Sequence, residues 1–158
     1  MEWNKQKIKG LLLVVCGGLR TPLRSSAALR EALQDVASRG VALAGLWNGA
    51  WFLGDAGLLD GYRCCIHPEH RAALAEIARN SQVTSDSYMV DRDRLTAASP
   101  TGAFNLALEW IARRGGRAMI VDEDNEARYL DSEALLLDNV PPYRYLSLVP
   151  LDRSSCAK

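Results

Sequence analysis

The residues best placed to do chemistry lie between Val41 and Gly61, in the stretch VALAGLWNGAWFLGDAGLLDG. Gly45 and Gly49 flank Leu46-Trp47-Asn48. That spacing lets the chain reverse sharply without a Cβ clash and lets a strand pack closely on the helix that follows. Trp47, inside the turn, carries a donor-only N–H and an aromatic face but no nucleophilic atom of useful pKa. The chemistry open to it is recognition. Trp51 stands one helical turn along, and aromatic faces attract quaternary ammonium groups through the ring quadrupole, by up to about 2 kcal/mol each when desolvated. Both tryptophans can equally be filling core volume.

The remaining candidates are thiols and imidazoles. Cys16, Cys64, Cys65 and Cys156 show no zinc-type or redox-motif spacing. Adjacent Cys64 and Cys65 point to opposite faces of a strand and cannot easily chelate one ion, so no metal is expected. Reduced, buried thiols in a cytosolic protein fit this usage. A cysteine enzyme would have to use Cys16, Cys64 or Cys65, and the last two lie within a strand, the wrong place for a solvent-reachable thiolate of low pKa. His67 opens His67-Pro68-Glu69-His70 and reads either as a ligand hydrogen-bonding group or as a satisfied structural residue. His70 reads as surface.

These residues need an α/β framework to hold them. Gly10 to Cys16 reads as a buried parallel strand ended by Gly17-Gly18. Ser25 or Ser26 can cap a helix to about Arg39, with Leu29, Leu33, Val36 and Ala37 on one face, Arg30, Glu31, Gln34, Asp35 and Arg39 solvated, and Gly40 closing it. This crossover returns the chain to a second parallel strand, Val41 to Leu46. Gly17-Gly18 and Trp47 then share the carboxyl edge of the sheet, where ligands of open α/β sheets collect. The helix after the turn is apolar nearly all round, with Gly57 as its C-terminal cap and Asp60-Gly61 as a turn beyond.

Further on, Tyr62 to Ile66 reads as a third strand, and Pro68 starts a helix bearing Leu74 and Ile77. Short segments at Gln82 to Thr84, Ser87 to Val90 and Leu95 to Ala98 suggest a small antiparallel addition. Ser99-Pro100-Thr101-Gly102 leads into a buried helix, Ala103 to Arg114, with Thr101 its expected cap. Arg113 to Gly116 marks a boundary, so residues 1–116 are expected to form one domain and 117–158 a C-terminal extension. Arg117 to Asp131 has a weak helical pattern, while Leu135 to Lys158 reads as a strand pair or a loosely packed tail.

At 158 residues the chain can bury an ordinary core without metal or disulfide support. A formal net charge of +0 argues against a broad phosphate-binding surface. No basic leader with an apolar core is seen at Met1 to Lys9, and no run approaches the roughly 20 apolar residues of a membrane span. A cytoplasmic location and no membrane contact are therefore expected.

GLWNGAWFLGDAGLLDG resembles the G-L-C-x-G-A-x-x-L-A-x-A-G-L-L-D-G signature of class I glutamine-amidotransferase-like (PfpI-like) domains. Such domains form the N-terminal half of one branch of the AraC-family transcription regulators. The resemblance runs from about Leu11 to Arg114. It implies a flavodoxin-like parallel sheet sandwiched by helices, shortened at its N-terminus so that Leu11 to Val15 would lie on an unpaired edge. It also implies that Trp47 stands where catalytic members keep a cysteine, which argues against an enzyme. His67 matches the histidine of their T-T-H motif, and Ser99 to Gly102 their S-A-G-V-T-A-G segment. Gly17, Gly18, Trp47, Asn48, Trp51, His67 and Thr101 are then the expected ligand-binding residues, with no cofactor.

The Trp-Asn-Gly-Ala-Trp form further resembles regulators of carnitine and glycine-betaine catabolism, which implies a quaternary-ammonium carboxylate as effector. A homodimer is expected. DNA would be reached only through a helix-turn-helix domain, and none is legible after Gly116. The competing readings are a cysteine-dependent hydrolase or amidotransferase and a dimerisation module.

Overall fold

The computed structural model describes residues 11–18 and 20–113 and, beyond them, the backbone of three strands, 118–121, 127–130 and 147–150. The chain divides into two compact units, Met1–Leu106 and Ala107–Lys158.

In the first unit, β1 (Leu12–Cys16), α1 (Ala27–Ser38) and β2 (Ala42–Leu46) follow the expected crossover. Ser26 Oγ accepts the Leu29 N–H at 3.1 Å, and Gly40 leaves the helix at φ +75°, a conformation that costs glycine nothing. Leu33 enters the core with Val36 and Ala37 against it. Two polar residues expected on the solvated side instead tie α1 to α2 (Gly49–Asp55). Arg30 pairs with Asp55 at 3.2 Å, and Gln34 Nε2 donates to the Ala56 carbonyl at 2.9 Å.

The main sheet has the order β1-β2-β6-β5, with β5 at Tyr88–Asp91 and β6 at Arg94–Ala97. β1, β2 and β6 are parallel, Leu13 opposite Leu43 and Leu43 opposite Arg94, while β5 runs antiparallel to β6. The central strand β2 is the most enclosed, Leu43 and Ala44 being fully buried. β1 lies at an edge, as expected, and there Leu11 and Val14 are 52% and 41% exposed. Helix α2 ends in a glycine cap: Gly57, at φ +71°, donates to Gly54 O, and Leu58 donates back to Leu53 O.

Tyr62 to Ile66 does not continue the main sheet. β3 (Arg63–Cys64) pairs in parallel with β4 (Gln82–Val83) in a separate ladder. The next amide, Cys65 N–H, is held by the Thr96 hydroxyl of β6 at 2.9 Å, a side-chain bond in place of a backbone ladder. The third parallel strand is β6, which the sequence suggested as part of a small antiparallel addition because the segments there are short and separated by polar turns, Arg94 falling in the charged turn Asp91 to Arg94. Arg94 is only 7% exposed. Its guanidinium donates to Leu58 O at 2.8 Å and pairs with Asp93 at 2.9 Å, so the buried charge is matched. Among the described residues no helix is long and apolar enough to cross a membrane.

After the 3₁₀ turn Pro68–His70, α3 (Arg71–Ile77) buries Leu74. Helix α4 (Pro100–Arg113) leads from the first unit into the second. There β7 (Ala118–Val121) pairs antiparallel with both β8 (Ala127–Leu130) and β9 (Ser147–Pro150). The helical pattern expected over Arg117 to Asp131 is thus replaced by two strands. Ala-Met-Ile-Val is a short apolar run of the kind that periodicity cannot assign, and its β-branched pair favours a strand. In Leu135 to Lys158, β9 is a strand, and the rest of that stretch lies outside the described residues, as does Cys156.

Candidate functional site

The three parallel strands end together, which brings Gly17-Gly18, Trp47 and Ser99 to one edge of the sheet. Trp47 has φ +61°. A bulky L-residue in the left-handed region costs about 1–2 kcal/mol and persists only where its surroundings fix it. Here they do. Trp47 N–H donates to Ala97 O at 2.9 Å, its carbonyl accepts His67 N–H at 3.4 Å, and its indole stacks on the His67 ring at 4.3 Å and 8°. The expected sharp corner is present, and His67 lies directly against it.

The glycines around the corner permit close backbone approach. A Cβ on Gly45 would meet Ala50 N at 2.6 Å, and one on Gly49 would meet Val15 O at 2.0 Å. A Cβ on Gly17 would fall 1.6 Å from Asn48 Oδ1. Asn48 is fully buried and works as a tie, its Nδ2 donating to Gly18 O at 3.2 Å and Thr21 O at 3.1 Å. Of the Gly-Gly pair, Gly17 gives its N–H to Leu46 O at 3.0 Å, which commits that amide within the protein.

The other expected site residues differ in their surroundings. His67 is half-buried, and its Nδ1 accepts the Glu69 N–H at 3.4 Å, so the ring's other nitrogen is the one left for a proton. Trp51 packs against the main core and meets Phe52 edge to face at 5.3 Å. Thr101 is exposed on the first turn of α4. The expected cap is corrected to Ser99, whose Oγ accepts the Gly102 N–H at 3.0 Å. Gly102 itself must be small, because a Cβ would lie 2.0 Å from Ser87 O.

His70 is the residue that sequence reasoning missed. Expected at the surface, it is half-buried, its ring 6.2 Å from that of His67 and its Nε2 enclosed without a hydrogen-bond partner. The signal was its i+3 spacing from His67, which brings the two rings round to neighbouring positions in a 3₁₀ turn. Trp47 Nε1 is likewise enclosed and unpartnered.

Cys64 and Cys65 are poorly placed for catalysis. Both are fully buried and enter different core clusters, as their alternation predicts. Burial pushes both thiols up, Cys65 to about 11. Native protein at neutral pH should therefore label at exposed Cys16 while Cys64 and Cys65 stay unmodified until denaturant is added, a pattern that mass spectrometry of alkylated peptides will show. Rapid native labelling of Cys65 would contradict this burial.

A stability consequence follows. Cys65 ionises near 9 in the unfolded chain and about 11 in the folded one. Its contribution is whole below pH 9 and declines as pH rises towards 11, by about 1.4 kcal/mol per unit. Urea melts at pH 8 and 10.5 should show the loss, and Cys65→Ala should flatten it.

The sequence profile of the DJ-1/PfpI family matches residues 5–113. The chain belongs to the DJ-1/PfpI family. Two similar curated proteins are HTH-type transcriptional regulators of Pseudomonas aeruginosa. CdhR is 37% identical over 114 residues, covering 72% of this chain and 34% of CdhR. GbdR is 33% identical over 107 residues, covering 68% of this chain and 29% of GbdR. The crystal structure of an AraC family transcriptional regulator from Pseudomonas putida superposes with a TM-score of 0.62 at 58% identity, over 65% of this chain and 55% of that one. This DJ-1/PfpI chain spans about a third of the length of the curated relatives it matches. Its parallel strands flanked by helices are the flavodoxin-like arrangement of that family.

Proposed function

We propose that this DJ-1/PfpI chain is the effector-sensing part of a cytoplasmic transcription regulator and that it recognises its ligand without turning it over. The observation that carries the reading is Trp47 at the left-handed corner, stacked on His67. An indole there offers surface and no nucleophile. The similarity to HTH-type regulators supports the regulatory setting. DNA contact belongs to a helix-turn-helix domain of the kind those relatives' names record, and a homodimer is the proposed assembly.

The proposed effector is a quaternary-ammonium carboxylate such as glycine betaine or carnitine. One face of the Trp47 ring is taken by His67, so the trimethylammonium group uses the other face at the same corner. His67, the Gly17-Gly18 loop and Thr101 are the other proposed ligand contacts. Asn48 acts by holding the loop, and Trp51 by packing against the core. Calorimetric and fluorescence titration with glycine betaine and carnitine is expected to give saturable binding, and no heat or spectral change at millimolar ligand would overturn the effector assignment.

A further inference from the structure

β1 is the outer strand of the main sheet and, among the described residues, pairs with β2 alone. Gly17 N–H donates to Leu46 O, and in a parallel ladder the bonding residues alternate along the strand. The β1–β2 register therefore turns the backbone groups of Leu13 and Val15 towards β2, and those of Leu12, Val14 and Cys16 outwards. Outer strands of monomeric proteins are commonly guarded by a lysine, a proline or a bulge. β1 has none of these. Leu12-Leu13-Val14-Val15-Cys16 carries no charge and no proline, and it pairs with β2 residue for residue. Leu13 and Val15 pack on the core beneath, whereas Leu11, Val14 and Cys16 are left exposed.

We infer that β1 of a second copy of this chain occupies the edge, antiparallel about a two-fold axis at Val14. That register sets Val14 opposite the partner's Val14 and Leu12 opposite the partner's Cys16. These are the outward-facing residues, so each pair exchanges both of its backbone bonds and no outward group of β1 is left over. A two-fold axis at Leu13 would instead leave Cys16 beyond the end of the facing strand. Because β1 carries no charge, self-pairing opposes no like charges, and an isologous contact of this kind closes at two copies. It also brings each Gly17-Gly18 loop opposite the partner's Leu11, so the interface borders the loop proposed to contact the effector. The inference rests on the proposed homodimer for the number of copies and adds the surface that joins them.

Sedimentation equilibrium of the 158-residue chain under reducing conditions is expected to show monomer and dimer in exchange. Val14→Lys should weaken the dimer at least tenfold, since each strand would then set a charge against its own copy. Thermal melts would establish that this variant folds. A second measurement does not depend on weakening the contact. In a Cys16→Ser, Cys156→Ser background, Val14→Cys should be joined to its copy by dibromobimane, a reagent that bridges neighbouring thiols. Glu76→Cys in the same background, at an exposed position of α3, should not.

The mass of a single copy at every concentration would overturn both this edge and the homodimer. A dimer equally tight in Val14→Lys, or bridged no better through Val14→Cys than through Glu76→Cys, would overturn the edge and leave the homodimer standing. Mass growing beyond two copies would overturn the two-fold pairing. Betaine titration of the same proteins reads the sensing role separately, because Val14 has no part in the proposed effector contacts.

Discussion

Gly49→Ala is expected to cost the domain more than about 3 kcal/mol, a large part of a typical domain's total stability. The added Cβ would stand 2.0 Å from the Val15 carbonyl oxygen and 3.0 Å from its carbon, both backbone atoms. Val15 cannot retreat, because it is held in register opposite Gly45 in the β1–β2 ladder. Gly45 is itself pressed against Ala50. The same substitution at Gly57 meets nothing within 4 Å and suffers only the left-handed backbone at φ +71°, about 1 kcal/mol. Urea denaturation of the two variants should separate them by at least 2 kcal/mol. A Gly49→Ala protein within 1 kcal/mol of its parent would mean that β1 and α2 do not approach as closely as described.

That contrast also marks what the sequence made legible. Gly45 and Gly49 announced a tight corner because only a missing side chain lets strand and helix meet, and Ser26, Gly40 and Gly57 marked helix ends through chemistry that is local to each cap. The Trp47 corner followed from its flanking glycines, whereas His67 beside it was implied only by the family resemblance. What depended on distant partners was not legible. Arg94 looked like part of a charged turn because its neutralising contacts, Leu58 O and Asp93, could not be seen to converge on it. Tyr62 to Ile66 had a strand's composition, but the Thr96 hydroxyl, thirty-one positions away, decided that Cys65 would not join the main ladder. Thr101 was the expected cap, but the helix starts one residue earlier, at Pro100, so Ser99 caps it. His70 looked solvated because a histidine beside Pro-Glu is polar in pattern, whereas the 3₁₀ turn carries it inward.

Substitutions at Trp47 are expected to separate backbone strain from recognition. At φ +61° any L-residue is disfavoured, so Trp47→Gly should be about 1 kcal/mol more stable than Trp47→Ala, although both lose the stack on His67. At an ordinary strand or helix position the order would be reversed, since glycine there is the worse residue. Alanine equal to or above glycine would therefore remove the left-handed corner. For the effector the two variants should behave alike. Loss of a desolvated cation–π contact worth about 2 kcal/mol weakens binding of glycine betaine on the order of thirtyfold, whatever the stability of each scaffold. Trp47→Phe keeps an aromatic face, so it should retain part of the ammonium contribution. Betaine affinity unchanged in Trp47→Ala would show that the indole does not touch the ligand, and the sensing role would then have to be moved away from this corner.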